Sequence, residues 1–386
     1  MIYPSNNSNE YWKKYPYICG RRMIMPAIIS VSEVIPPFEI TQKEASEFAR
    51  ELFADSFKDI ERLLKAFQNG QIEKRYFVKN IDWFKENHSF EEKNYAYIES
   101  AVVHGKEAVV KCLTNPIFLK KNIPFEEIDA IFFISTTGIS TPSIEARIMN
   151  HLPFKPHTKR VPIWGLGCAG GAAGLSRAFE YCLAFPKAKV IVLSVELCSL
   201  TFQKNDLSKS NLIGTSLFAD GIACALVCGD EVNKEEFSKK AASPSIIATQ
   251  SNLMHNSLDV MGWEIRNSGL YVIFSRDIPH IIEGWLKPNV TRFLTEHKIN
   301  LGQIDCFIAH PGGKKVLDAY VKALDIPPFM NEISLEVLRQ YGNMSSATIF
   351  YVLRRYMEMD IPKNSIGLGT ALGPGFSSEL LLLRWE

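Results

Sequence analysis

Three short stretches hold the side chains best suited to chemistry. Cys168 lies in "WGLGCAGGAAGLSRA" (164–178), His310 in "CFIAHPGGKK" (306–315) and Asn343 in "YGNMSSAT" (341–348). A cysteine at a helix N-terminus has its thiolate stabilised by the free amide groups and the helix dipole. The surrounding glycines and alanines leave room for a substrate carbonyl to reach the sulfur. His310 ends an apolar strand that Pro311, Gly312 and Gly313 break at once. The imidazole is thereby expected at a strand's carboxyl end, where α/β folds gather their sites. Asn343 follows a glycine and opens a helix rich in small residues. Its side-chain amide suits an oxyanion and is useless as a base; it also suits a helix N-cap. The three together predict a nucleophilic cysteine with a histidine partner and a neutral donor.

The first stretch admits a second reading. Gly165, Gly167 and Gly170 spell G-x-G-x-x-G between a strand ("RVPIW") and a helix, and Glu196 ends the following strand. A dinucleotide fold uses such a turn for pyrophosphate and such an acid for the ribose. A nucleotide-binding oxidoreductase is the competing expectation.

The elements that must position these residues recur at one spacing. "IDAIFFISTTG" starts at Ile128 and "IDCFIAHPGG" at Ile304, 176 residues later. "GCAGGAAGLSRAFEYC" and "GNMSSATIFYVLRRYM" start at Gly167 and Gly342, and "VIVLSVEL" and "IGLGTALG" at Val190 and Ile366. Three strand–turn–helix pieces at nearly the same offset predict a duplicated α/β fold, with Cys168 and Asn343 at equivalent helix starts. The halves are expected at 25–238, carrying the cysteine, and 239–386, carrying His310 and Asn343. Residues 42–70 read as helical, closed by Gly70 as a carboxyl cap. A first strand is expected near Met25, leaving 1–24 as an extension outside the fold. The "GRRMIMPAIISVSEVIPP" run faintly resembles a secretion signal, but Pro26 and Glu33 interrupt it and no cleavage site closes it.

Bulk properties narrow the classes. The 43 Lys and Arg against 42 Asp and Glu give a net charge of +1, which supplies no overall field for nucleic acid or an anionic membrane. No stretch approaches the roughly 20 apolar residues of a membrane span. The eight cysteines include no C-x-x-C pair, and five of them (Cys182, Cys198, Cys224, Cys228 and Cys306) sit in apolar segments. That distribution suits reduced cysteines of a cytoplasmic protein and supplies no zinc site.

Four motifs, "GLGCAGG", "AHPGGKKVLDAY", "YGNMSSAT" and "ALGPGFSSELLLLRW", carry a resemblance. From about Met25 to Glu386 the chain resembles the type III polyketide synthases, the chalcone-synthase-like branch of the thiolase superfamily. Within it the chain is most similar to Bacillus-type alkylpyrone synthases. The resemblance implies a homodimer of the duplicated, five-layered αβαβα thiolase fold, with Cys168, His310 and Asn343 as a triad. It implies that Cys168, ionised by pairing with His310, takes a fatty acyl group from its CoA ester. Malonyl-CoA then extends that group by decarboxylative Claisen condensation, and cyclisation follows, to alkylpyrones. No metal, flavin, nicotinamide or acyl carrier protein is implied. Phe218 matches the family's gate between CoA tunnel and cavity. Thr136, Cys198, Thr201, Gly214, Gly262 and Ser345 match cavity positions, and Arg62, Lys65, Gly312 and Lys315 match places near CoA. The chain departs from the plant pattern at Ala371, Leu372, Val272 and Thr141, which suggests a cavity suited to an aliphatic starter. A ketoacyl synthase of the fatty-acid type shares the triad, but the His-Pro-Gly-Gly and Gly-Pro-Gly stretches argue against it.

Overall fold

Runs of Ile, Val and Leu without polar alternation become strands buried on both faces. "KVIVLSVEL" is the clearest case: after Lys189, every residue of the strand is buried. The computed structural model describes residues 25–386 apart from 55, 56 and 58, so the expected 1–24 extension lies outside the described residues. The strands are β1 Ala27–Val34, β2 Phe38–Thr41, β3 Lys74–Phe77, β4 Ala130–Ile134, β5 Lys159–Ile163, β6 Lys189–Leu197 and β7 Asp220–Cys228. They continue as β8 Pro244–Leu253, β9 Met261–Arg266, β10 Gly269–Phe274, β11 Cys306–Ala309, β12 Ile366–Gly373 and β13 Ser377–Trp385.

Nine of these form one sheet in the order β11-β12-β13-β8-β1-β7-β6-β4-β5. Its two arms repeat one pattern. β1 pairs antiparallel with β7, β7 antiparallel with β6, and β6 parallel with β4. Likewise β8 pairs antiparallel with β13, β13 antiparallel with β12, and β12 parallel with β11. The arms meet where Ala27 faces Ser245. β4 and β11, and β6 and β12, are the pairs displaced by the spacing seen in the sequence.

Helices Gly170–Ala184 and Thr348–Glu358 form the middle layer, each packed on strands of both arms. Phe90–Leu113 covers β1, β6 and β7 on one outer face. Lys287–Glu296 and Lys314–Leu324 close the apolar cluster around β11 and β12 on the other. This is the duplicated sheet-and-helix layering of the thiolase fold. Among the described residues no helix is long and apolar enough to cross a membrane.

The stretch expected as one helix over 42–70 is two, Gln42–Phe53 and Ile60–Asn69. Thr41 and Glu44 make a capping box on the first, and Asp59 caps the second by accepting from Arg62 N. Gly70 does cap the second helix, in a right-handed conformation with φ −68°, its N–H bonding to Ala66 O.

In the middle layer, glycine sets how closely the two helices approach. A Cβ on Gly171 would overlap the Ser346 carbonyl oxygen and stand 2.7 Å from Ile349 Cγ2. Gly171→Ala is therefore expected to lower unfolding free energy by about 1–3 kcal/mol in denaturant titrations. Gly284→Ala, where a Cβ meets nothing within 4 Å, is the control and should not destabilise.

Candidate active site

Cys168 sits in a single 3₁₀ turn, Gly167–Ala169, that runs into the helix Gly170–Ala184. Gly165 and Gly167 turn the chain at φ +93° and +47°, and Gly167 N donates to Thr136 Oγ1 at 3.1 Å. The second arm presses on this turn from outside. A Cβ on Gly167 would lie 2.7 Å from Pro374 Cδ, and one on Gly373 would lie 2.6 Å from Ala169 Cβ. Gly170 and Gly174 are filled against by Ile134, Ser346 and Val192. The expectation that these glycines clear space for a substrate is corrected for Gly170: its clearance is taken by protein packing. The dinucleotide reading loses its ribose acid, because Glu196 is fully buried and bonded to Thr136, Thr137 and Ser346.

Asn343 is fixed from several sides. Its backbone bonds to Leu217 O and Ala219 N. Its Oδ1 accepts from Ser345 N at 2.9 Å and from Cys168 Sγ at 3.9 Å, while Nδ2 donates to Gly312 O at 3.1 Å. Those neighbours dictate the orientation of the amide, and its NH₂ retains a second donor hydrogen. His310 follows β11, held by its N–H on Thr370 O at 2.8 Å. Only 2% of it is exposed, and neither ring nitrogen bonds to a described residue.

Burial dominates the electrostatics here. It pushes the Cys168 thiol up to about 12; bonds from Ser345 and Asn343 oppose this, and the Glu196 charge adds to it. Burial likewise pushes the His310 imidazole down to about 3. The helix start does not hold the thiol low, contrary to the sequence expectation, because desolvation outweighs it. Either charge alone is disfavoured here, whereas thiolate and imidazolium formed together leave no net charge.

A narrow cleft, with about 30 Å³ of room for water-sized contents, is lined by Cys168 with Cys198, Phe218, Gly262 and Ser345, together with Trp263 and Val272. Thr201 and Gly214 line an adjoining cavity. Thr136 supports the cleft by accepting from Gly167 N, and its carbonyl accepts from Trp263 Nε1 at 2.9 Å. Gly312 supplies the carbonyl that holds Asn343. Arg62 and Lys65 stand exposed on Ile60–Asn69, and Lys315 is exposed on Lys314–Leu324.

Two buried charged residues were not assigned from the sequence. Glu196, with no exposed surface, accepts from Thr136 N and Thr137 Oγ1 at 3.0 Å and from Ser346 Oγ. It ties the loop after β4 to the helix beyond Asn343 and cannot reach a ribose. The signal was there, since a carboxylate in an otherwise apolar strand needs buried donors. Arg75 on β3 donates to the carbonyls of Thr215, Ser216 and Phe218 and to Gln42 Oε1. It thereby fixes the end of the helix Lys209–Leu217, from which Phe218 and the Asn343 contacts follow. Nothing in "EKRYF" marks one of its basic residues as buried.

A cysteine seated at the central helix of a duplicated fold, with an asparagine of the other half at its sulfur, is an arrangement of the condensing enzymes, acyltransferases that join thioester-bound units. The match to known proteins is more particular. Residues 20–231 match the N-terminal domain of chalcone and stilbene synthases and 245–385 their C-terminal domain. The chain belongs to this family, the type III polyketide synthases, whose chemistry is malonyl-CoA-dependent condensation. It is 56% identical over 363 residues to a Bacillus subtilis (strain 168) protein named for chalcone synthase, covering 94% of this chain and 99% of that one. It is 32% identical over 360 residues to the 1,3,6,8-tetrahydroxynaphthalene synthase of Streptomyces peucetius subsp. caesius, covering 93% of each. The crystal structure of the Streptomyces coelicolor A3(2) tetrahydroxynaphthalene synthase superposes with a TM-score of 0.85 at 28% identity, over 93% of this chain and 99% of that one.

Burial pushes the Glu196 and Asp220 carboxyls up to about 7. Between the unfolded value of 4.5 and about 7, folded Glu196 keeps a proton that the unfolded chain has lost. Its stabilisation is complete below the unfolded value and is lost as pH rises through the folded one, roughly 3 kcal/mol in all. Thermal stability is expected to fall between pH 5 and 8, and Glu196→Gln should flatten that slope in melting curves taken across the range.

Proposed function

We propose that the protein loads a fatty acyl group from CoA onto Cys168 and extends it with malonyl-CoA, without a carrier protein, to products that cyclise as alkylpyrones. The observation that carries this reading is the Asn343 amide. It touches Cys168 Sγ and the loop after His310 at once, and it retains a donor hydrogen beside an apolar cleft.

In the proposed cycle the Cys168 proton passes to a ring nitrogen of His310 as the sulfur attacks the acyl-CoA carbonyl. The carbon–sulfur bond to CoA breaks, and the CoA thiolate takes the proton. Malonyl-CoA follows, its thioester oxygen accepting from His310 and Asn343. The bond to its carboxylate breaks, carbon dioxide leaves, and the electron pair becomes an enolate whose oxygen those donors stabilise. The enolate carbon attacks the acyl–Cys168 thioester, and the sulfur departs. The extended chain, now a CoA thioester, passes back to Cys168 with release of CoA for each further round, and attack of an enol oxygen on the terminal thioester closes a pyrone and expels the thiolate. Phe218, paired with Trp263 at 6.4 Å between centroids, stands between the cleft and the adjoining cavity and acts as the gate. Thr136, Cys198, Thr201, Gly214, Gly262 and Ser345 shape the cavity in this reading. Arg62, Lys65 and Lys315 meet the CoA phosphates, and Gly312 borders its arm.

A homodimer across β5 completes the reading. This edge strand is largely exposed and continues into Trp164, and exposed Ile139 and Ile265 share a groove with Trp164. Seven buried, unpaired cysteines among the described residues suit a reducing cytoplasm.

Purified protein with acyl-CoAs of graded length and malonyl-CoA alone should give extended products by mass spectrometry. Asn343→Ala should lower kcat by about 10²–10³. Extended products from Cys168→Ala would end the covalent mechanism. Light scattering should give twice the 43.6 kDa chain mass, and Val161→Asp on β5 should reduce it to one.

A further inference from the structure

One wall of the Cys168 cleft lies outside the nine-stranded sheet. Among the described residues, strands β9 and β10 pair only with each other, and Met261, Gly262, Trp263, Val272, Ile273 and Phe274 of this ribbon line the cleft. Side-chain hydrogen bonds fasten its strands to the body at two places. Near the cleft, Trp263 Nε1 donates to Thr136 O at 2.9 Å. Nearer the ribbon's turn, the carbonyl of buried Leu270 accepts from Gln203 Nε2 at 3.1 Å. Leu270 and Val272 lie on one face of β10, about 7 Å apart along the strand, so what holds Leu270 also holds Val272.

The second fastening is set by a buried lysine. Lys93 Nζ, from the helix Phe90–Leu113, donates to Gln203 Oε1 at 3.0 Å and to Phe202 O at 2.8 Å. An ammonium only donates, so it obliges the glutamine to turn its oxygen toward Lys93 and its NH₂ away. The two amide hydrogens then meet Leu270 O and, at 3.2 Å, Thr201 O. Gly269 makes room for this, since a Cβ there would stand 2.5 Å from Gln203 Nε2. Lys93 forms no ion pair with a described carboxylate, and burial pushes its amine down to about 8. Burying an unpaired cation is costly, and what it secures here is one orientation of Gln203.

We infer that Lys93 is a positioning residue for the active-site wall: it orients Gln203, and Gln203 latches the β9–β10 ribbon beside Cys168. The cleft is narrow, and Val272 Cγ1 stands 3.6 Å from where a Cβ on Gly214 would lie. A small displacement of the ribbon therefore changes what can reach the sulfur. Without Lys93, nothing prevents the Gln203 amide from turning over, which would set its oxygen against the Leu270 carbonyl. Acceptor would then face acceptor, and the ribbon would move off the cleft. The inference rests on the reading of Cys168 as the nucleophile and adds what holds the wall beside it.

The test is the rate at which iodoacetamide alkylates Cys168, followed by peptide mass spectrometry, a readout that needs no substrate. Lys93→Met keeps the apolar stem but cannot donate, and should raise that rate about tenfold, the worth of one hydrogen bond. Gln203→Glu should raise it as much, because the carboxylate pairs with Lys93 but has no hydrogen for Leu270 O. It carries the same test if Lys93→Met does not fold. Lys93→Arg keeps the donors and should stay within about threefold of wild type. With acyl-CoA and malonyl-CoA, the two unlatched variants should raise KM for acyl-CoA about tenfold and leave kcat within about twofold, as when binding is lost equally from ground and transition states. Alkylation unchanged in Lys93→Met and Gln203→Glu overturns the latch. So does a Lys93→Arg rate as high as that of Lys93→Met. Wild-type protein that extends no acyl-CoA overturns the underlying reading, while the alkylation rates still decide the latch.

Discussion

The helix that begins beside Cys168 and the helix that follows Asn343 approach each other where Gly171 carries no side chain, against the Ser346 carbonyl and Ile349. Much else depends on that contact. It brings the starts of the two helices together at one place, one from each arm of the sheet. A larger residue there would push the sulfur away from the amide that now touches it. The small residues of "GCAGGAAG" and "NMSSAT" are thus a packing solution before they are a catalytic one. Close-packed interiors do not absorb an extra methyl group for free.

Bringing two helix starts into one apolar interior leaves polar groups to satisfy, and buried charges do this across the seam. Glu196 from β6 collects donors from the loop after β4 and from Ser346. Arg75 from β3 collects carbonyls from the helix end preceding Phe218. Burial lowers the Arg75 pKa to about 9, a measure of how far from water that guanidinium stands. Each anchors a segment that then reaches the cleft, so the cleft's geometry is held by groups that never face it. The same dryness keeps the Cys168 thiol and the His310 imidazole neutral when each is considered alone.

The cleft itself is lined mainly by apolar groups and is shared by both arms, with Trp263 and Val272 of the β9–β10 ribbon facing Phe218 and Cys198. Because the ribbon joins the cavity from one arm and Gly214 from the other, the cavity shape belongs to neither arm alone. Val272 in particular lies within 4 Å of a Cβ built on Gly214, so one small side chain on each arm sets the width there.

The sequence by itself determined the duplicated α/β plan, the strands "IDAIFFIS" and "KVIVLSVEL", and the equivalent helix starts beside Cys168 and Asn343. Hydrophobic runs and repeated spacing are local properties, legible without coordinates. It offered Glu196 only as the ribose acid of the competing dinucleotide reading, without saying what else it bonds. Tertiary structure alone decided what surrounds these residues. The break between Phe53 and Ile60 depends on Asp59 capping a second helix, a choice that helical periodicity over 42–70 does not register. The β7 to β13 correspondence was invisible because insertions shift it away from the common spacing. Nothing in the sequence sets Arg75 apart as a buried charge, since burial is a property of everything packed around a residue. The thiol's environment followed the same rule: a helix start predicts a low pKa, and desolvation by distant residues raised it instead. Spacing along the chain shows which groups can meet, but their charge and the space around them depend on contacts between residues far apart in sequence.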